Sequence, residues 1–388
     1  MFNLYFIHSA ATIRSSFSRQ AWKRLQRNRG AMAGLGIIVL AIFISVTAYF
    51  LSPDPTPYAN HMVLEISGQR PGFKVTMLAM QKERPPARAG FFRRLLYGQE
   101  SALTYVPIRS WQFAGNDIVV QRYVDEETSM PERYSLTKVW YGQQQPLGQP
   151  LATLQRQITK QRIVTNTYWL GTDRFGRDIL SRLLVGTRVS LGVGCIAVLI
   201  SLSLGVLLGA MAGYFRGWVD DAVMWLINVI WSVPTLLLVF AITLALGKGF
   251  WQVFIAVGLT MWVGVARIIR GQVLSLRELQ FVEAARALGF GHLRIIVKHI
   301  LPNIMGPVMV VAASNFASAI VVEAGLSFLG VGVQPPQPSW GLMIKENYNF
   351  IITHNPLLAL APGVAIMLMV LAFNLLGNGL RDAMDVRG

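Results

Sequence analysis

The side chains that could do chemistry in this chain are few, and their spacing excludes most reactions. Five histidines, His8, His61, His292, His299 and His354, are scattered without the spacing of a metal site. Cys195 is the only cysteine and sits inside an apolar run, so no intrachain disulfide can form. No Gly-x-x-x-x-Gly-Lys-[Ser/Thr] loop occurs, so the chain has no means of hydrolysing ATP by that route. Serine-elbow and His-Glu-x-x-His motifs are absent too. What remains is charge placement. Asp173, Arg177, Asp178 and Arg182 fall within one short segment and can pair among themselves. Glu323 is the one acid in the apolar run 303–326, where an ionisable group costs about 2.5–3.5 kcal/mol at a bilayer centre.

A second stretch stands apart from the spans. The stretch 281–302, FVEAARALGFGHLRIIVKHILP, is polar enough for water yet lies between long apolar runs. Phe281, Ala285 and Leu288, then Leu293, Ile296 and Ile300, recur at helical spacing around Gly289. The spacing predicts two short helices with a kink at 289–291, lying on a membrane surface. Ala284, Ala285, Ala287 and Gly289 allow another backbone to come close.

The elements that must position these groups are membrane spans. The chain has 388 residues, 53% hydrophobic and 14% charged, with a mean hydropathy of +0.45, which excludes an ordinary soluble protein. The net charge of +16 sits beside apolar runs and carries no nucleic-acid motif, so it reads as positive-inside bias rather than as a nucleic-acid surface. Residues 1–30 hold Arg14, Arg19, Lys23, Arg24, Arg27 and Arg29 before the apolar run 31–51, which is long enough to span a bilayer core. Further spans are expected at 189–213, 222–246 (kinked at Pro234), 250–269, 303–326 and 357–376. Gly205, Gly209 and Gly213 follow the small-x-x-x-small spacing of close helix packing. Arg267, Arg270, Arg277, Arg286, Arg294 and Lys298 outnumber Glu278 and Glu283 around 267–298, which puts that loop and both termini in the cytoplasm.

Residues 52–166 interrupt the spans and are too long for a simple loop. Strands are expected at 72–81, 117–124 and 134–141, and a helix through Leu151, Leu154 and Ile158. Pro85, Pro86, Pro146 and Pro150 punctuate the region. The expectation is a small α+β domain outside the cytoplasm, without a catalytic constellation. Its role is either contact with a partner or a stabilising cap.

The Glu283-Ala284-Ala285 … Gly289 … Leu301-Pro302 pattern resembles the EAA loop, residues 279–302 here, of ABC importer permeases. His299 stands where the general consensus has an aliphatic residue, and the resemblance implies the peptide and nickel branch. The segment 169–182, WLGTDRFGRDILSR, together with 335–341, PPQPSWG, and 377–382, GNGLRD, resembles the C-type permeases of the dipeptide, oligopeptide and nickel importers. The likeness covers 169–388 and more loosely the first span, but not 52–166. It implies an all-α polytopic membrane protein: six transmembrane helices with the type I importer permease core, plus the α+β insertion. The chain then divides into 1–51, the insertion 52–166 and a core at 167–388. Its bacterial inner-membrane setting follows.

The resemblance further implies transport by alternating access, with no cofactor on this chain. ATP and Mg would be held by one or two separate ABC ATPase subunits. A homologous second permease, forming a heterodimer, an extracytoplasmic binding protein and lipid complete the expected partners; nucleic acid is not among them. Glu283, Ala284, Ala285, Gly289, His299, Leu301 and Pro302 become coupling residues. A wide, weakly selective pore for peptides suits the neutral polar residues Asn228, Ser232, Thr235, Ser314, Asn315 and Ser318. Asp173, Arg177, Asp178, Arg182, Glu323 and Lys345 become outer-gate residues. The 169–182 segment is either a lid stitched by ion pairs or a direct contact for a binding protein. Glu323 has three readings: a substrate ammonium site, a proton carrier, or a partner of Arg177, Arg182 or Lys345. A membrane-embedded enzyme, a receptor with the insertion as sensor, and an exporter are the competing classes. The first lacks converging ionisable groups, the second has no use for an EAA loop, and the importer-type loop argues against the third.

Overall fold

Long apolar runs leave their backbone amides no partner but one another, and they fold as helices. A computed structural model describes residues 20–125, 127–144, 148–247, 249–352 and 355–384. His8, Arg14, Arg19, Pro146 and His354 lie outside the described residues. In chain order the helices are α1 (Arg29–Leu51), α2 (Phe91–Tyr97), α3 (Leu136–Tyr141), α4 (Leu151–Gln161), α5 (Ile179–Phe215), α6 (Gly217–Trp231), α7 (Thr235–Leu246), α8 (Phe250–Arg277), α9 (Gln280–Ala287), α10 (His292–Ile295), α11 (Met305–Leu329), α12 (Trp340–Asn347) and α13 (Leu357–Met384). The strands are β1 (Phe73–Gln81), β2 (Leu103–Ala114), β3 (Asp117–Tyr123), β4 (Ser129–Ser135) and β5 (Ile163–Tyr168).

Helices α1, α5, α8, α11 and α13 are each long and apolar enough to cross a membrane, and α6 with α7 makes a sixth only if a 92° bend is allowed within one span. The expected single kinked span at 222–246 is therefore two helices. Pro234 adopts an extended ψ of 127° and starts α7, while α6 ends at Trp231. The other helices run past their apolar runs. Helix α5 begins at Ile179 rather than 189, and α13 continues to Met384 rather than 376.

By contacts the chain forms two units, one from 1–42, 190–334 and 365–388, the other from 43–189 and 335–364. In the first, α5 and α8 pack through glycines. A Cβ on Gly205 would come 2.8 Å from the Trp262 carbonyl, on Gly209 3.0 Å from Ala266 Cα, and on Gly213 2.8 Å from the Arg270 carbonyl. Three successive turns thus require the missing side chain, the close approach that small residues permit in lipid. Around them Ala210, Tyr214, Val265, Ile269 and Val273 belong to one buried cluster, and Val193, Ala197, Val253, Phe254, Val257, Ala319 and Leu326 form a separate one.

The second unit carries a five-stranded antiparallel sheet in the order β4-β3-β2-β1-β5. One face buries Leu78, Ile108, Ile118 and Val120 against Leu136 and Val139 of α3 and Leu154 and Ile158 of α4. The other buries Val75, Met77, Tyr123 and Tyr168 against Val63 and Ile66. Strands β1 and β3 and helix α4 coincide with the expected elements. The third expected strand, 134–141, is corrected: β4 ends at Ser135 and Leu136–Tyr141 is helical, turning Leu136, Thr137 and Val139 inward. Strands β2 and β5 were not anticipated.

Candidate functional site

The EAA segment folds as two helices joined by a left-handed turn. Gly289 has φ +75°, and a Cβ there would meet nothing within 4 Å, so its requirement is conformational rather than steric. The Phe290 N–H donates to the Ala285 carbonyl at 3.1 Å and the Gly289 N–H to Arg286 at 2.9 Å. This pair of bonds is the Schellman cap, which absorbs carbonyls at the end of α9. Beyond it, α10 runs into a single π turn at 296–300.

The inner face of this hairpin is Val282, Ala285, Ile295, Ile296 and Ile300, packed with Tyr214, Ile269 and Val273. Burying each isoleucine from water contributes about 1.5–3 kcal/mol, enough to hold both helices on the bundle. Ala285, Ile296 and Ile300 are buried, but Phe281 is exposed, as are Leu288 at 72% and Leu293 at 76%. Leu279 and Val297 join them at the surface. Glu283 lies exposed in the first turn of α9, where a carboxylate suits the helix dipole, and among the described residues it makes no ion pair. Ala284 is also exposed, and Leu301 and Pro302 are half-buried.

Tyr214 was not singled out by sequence, yet it anchors this region. It is buried, its hydroxyl lies 2.9 Å from His292 Nδ1, and the guanidinium carbons of Arg286 and Arg277 sit 5.3 and 5.8 Å from its ring centroid. His299 stacks on Phe290 at 5.8 Å, and Arg294 lies 4.4 Å from the Phe290 centroid. Arg286, Arg294 and His299 of the loop therefore rest on aromatic faces. Arg270 instead forms a two-point pair with Asp220, one contact being 2.6 Å.

The second unit gathers the other charged residues. Asp173 Oδ1 accepts from the Phe175 and Arg177 backbone amides at 2.8 and 3.0 Å. Its Oδ2 accepts from Arg177 Nε at 2.6 Å and lies 3.8 Å from Arg182 Nε. Arg177 Nη1 donates to Asn60 at 3.1 Å. Glu346 of α12 closes the cluster, its Oε2 accepting from Arg177 Nη2 at 2.8 Å and from Arg182 Nη2 at 3.0 Å. Asp178 caps α5 by accepting the Ser181 N–H at 2.9 Å. Burial raises the Asp178 carboxyl above the ordinary range, against the hydrogen bonds from Ser181. Gly171 and Gly176, with φ +82° and +69°, turn the segment so tightly that a Cβ would collide with the Gln69 and Val63 carbonyls.

Asp173, Arg177, Asp178 and Arg182 are all buried, and their ion pairs and hydrogen bonds stitch the segment. Glu346 was missed by sequence reasoning. Charge counting could have raised it: with Asp178 spent on a cap, two arginines faced one acid. Arg177 and Arg182 are both met by Asp173 and Glu346. Lys345 makes no ion pair among the described residues. Glu323 is buried in α11 and accepts a 2.6 Å hydrogen bond from Ser327, one turn later. Of the polar pore candidates, Asn228, Ser232, Thr235, Ser314 and Ser318 are exposed, while Asn315 donates to Ser201 at 3.3 Å.

Comparison with known proteins adds identity to this geometry. A family model described as binding-protein-dependent transport system inner membrane component matches residues 205–387, and one for the N-terminal TM domain of oligopeptide transport permease C matches 16–65. Neither covers residues 66–204, which contain the sheet. The glutathione transport system permease protein GsiD of Pectobacterium atrosepticum is 42% identical over 221 residues, 57% of this chain and 73% of that protein. The dipeptide transport system permease protein DppC of Bacillus subtilis is 39% identical over 241 residues, 62% of this chain and 75% of that protein. A solved chain of the inward-facing MetNI methionine ABC transporter matches with a TM-score of 0.43 and 19% identity over 52% of this chain and 96% of that one. With its capped helical hairpin, its apolar spans and these relatives, the chain belongs to the family of binding-protein-dependent transport system inner membrane components.

Proposed function

We propose that this chain is a permease subunit of an ATP-driven importer of short peptides or related small solutes. It passes them by alternating access and takes its work from separate ATPase subunits, which bind the ATP and Mg. The observation that carries this reading is the exposed face of the α9–α10 hairpin. Leu279, Phe281, Leu288, Leu293 and Val297 are left uncovered by this chain on helices whose other side is fixed to the bundle. An apolar patch of this kind marks a protein interface. Glu283 beside it offers a charge to the same partner. The basic residues at 267–298 assign the hairpin to the cytoplasm. On that reading, alternating sides would leave both termini in the cytoplasm and the sheet domain outside it. A homologous permease would cover the exposed Asn228, Ser232, Thr235, Ser314 and Ser318, and the two would enclose the pore. The relatives' dipeptide and glutathione substrates support a peptide-sized cargo.

The test uses membrane vesicles holding the whole transporter. Gly289→Val forces a β-branched residue into the left-handed region and should abolish peptide uptake while membrane insertion persists. Leu288→Cys, in a Cys195→Ser background that leaves no other thiol, should cross-link to the ATPase. Undiminished uptake by G289V, with no cross-link from L288C, would overturn the proposal.

A further inference from the structure

The sheet-bearing unit holds a cleft of about 760 Å³, lined in part by Tyr105 and Tyr168. That volume falls within the roughly 300–1,000 Å³ range of small-ligand sites. Asp54 and Asp178 also line it, and so do Arg88 and Arg94 from a separate stretch of chain.

Asp178 decides the chemistry. It is only 5% exposed, and its Oδ2 is taken by the Ser181 amide and hydroxyl. Its Oδ1 is buried and has no hydrogen-bond partner among the described residues. A buried carboxylate oxygen is costly unless a donor or a cation meets it. The second acid stands beside the first: Ser181 Oγ, which donates to Asp178, accepts the Asp54 N–H at 2.9 Å. Asp54 receives only backbone amides, from Thr56 at 3.0 Å and His61 at 3.1 Å. Burial, reinforced by the Asp54 charge, raises the Asp178 carboxyl, a cost that an arriving cation reverses.

The arginines supply the complement. Arg88 is exposed and makes no ion pair or hydrogen bond among the described residues. Arg94 lies 5.1 Å from the Phe50 ring centroid, a contact that leaves its N–H groups for an anion. The lining therefore includes a residue whose buried carboxylate oxygen lacks a donor and two guanidinium groups with no acceptor among the described residues. We infer that it binds a small zwitterion, a free amino acid or a short peptide, with the ammonium on Asp178 and Asp54 and the carboxylate on Arg88 and Arg94. The inference stands on the second unit alone and is independent of the transport reading.

The test is isothermal titration of the full-length protein in lipid nanodiscs. The probes are glycine, triglycine, N-acetyl-triglycine and triglycine amide. Saturable binding of glycine or triglycine is expected, and which of the two binds tighter separates amino acid from peptide. Blocking either end of triglycine should weaken binding at least about tenfold, the loss of one charge-assisted contact. Asp178→Asn keeps a residue able to cap α5 and should weaken binding similarly. Arg88→Ala lies on the surface and keeps the test decisive if D178N does not fold. Failure of both zwitterions to bind, equal affinity for the blocked peptides, or unchanged affinity in R88A would each overturn the inference.

Discussion

Arg177 and Glu346 are 169 positions apart in the chain, and both are buried where Nη2 meets Oε2 at 2.8 Å. Glu346 also holds Arg182 at 3.0 Å, so one carboxylate separates two guanidinium groups inside the protein. Buried ion pairs stabilise little in net terms, but breaking one strands a charge at a cost of about 3–5 kcal/mol. Glu346→Gln should therefore lower the unfolding free energy by about that amount in a denaturant titration. Adding Arg182→Met should cost less than the sum of the two changes, because the stranded charge is removed with it. Additive losses would show that the pair does not act as a unit.

Close packing between α5 and α8 predicts a position-specific effect. Gly209 lies against Ala266 and Ile269, whereas a Cβ on Gly36 of α1 meets nothing within 4 Å. Gly209→Leu should destabilise the protein by about 1–3 kcal/mol or more through overpacking. Gly36→Leu should be neutral or slightly stabilising, since glycine is a poor helix former. Thermal unfolding of the two variants in one detergent gives the comparison, and equal shifts would refute the packing argument.

What the sequence made legible follows range. Spans are written in uninterrupted apolar runs, and the turn at Gly289 in a residue type that one conformation demands. Strands β1 and β3 show β-branched and aromatic runs, but Pro107 interrupts β2, and β5 is a six-residue edge. Periodicity found the apolar positions of α9 and α10 without telling the face packed on the bundle from the face left open. Ala285, Ile296 and Ile300 lie on the packed face, and Phe281, Leu288 and Leu293 on the open one. Charge counting points to a missing acid for Arg177 and Arg182 but does not pick out Glu346, whose partners lie far away in the chain. Pro234 announced a kink, while the 92° bend depends on its extended ψ.

His61 gives the second unit a pH dependence. The side chain is half-buried, and burial, aided by Lys82 and opposed by Asp54, holds its pKa below the ordinary imidazole value of about 6.5. A lowered folded pKa contributes stability that is present above that unfolded value and is lost as pH falls through the folded one. Protonation of the unfolded state should therefore pull the midpoint down below about pH 6.5. The ring stands edge-on to Tyr105 at 5.3 Å, so His61→Phe preserves an aromatic contact. The drop in Tm between neutral and mildly acidic buffer should shrink in H61F, and an unchanged drop would assign the effect to other groups.

Glu323 tests whether a buried acid in a span serves the fold or the cargo. Its Oε1 accepts from Ser327 Oγ at 2.6 Å, and the same hydroxyl accepts the Val333 N–H at 3.0 Å. The chain leaves α11 there in a tight turn, with the Val331 and Gly332 amides both on the Leu326 carbonyl at 3.0 and 2.9 Å. The carboxylate thus orients a hydroxyl that holds the turn. A hydrogen bond to a charged group contributes about 1.5–3 kcal/mol, and the Glu323–Ser327 coupling in a double-mutant cycle should lie in that range. Glu323→Gln keeps an acceptor for Ser327 and should cost less stability than Glu323→Ala. Uptake should follow the same order, E323Q retaining it and E323A losing it, equally for peptides with free and with acetylated amino termini. If E323Q instead lost uptake of free-amine peptides while still carrying the acetylated ones, the carboxylate would belong to substrate recognition, and the structural reading would fall.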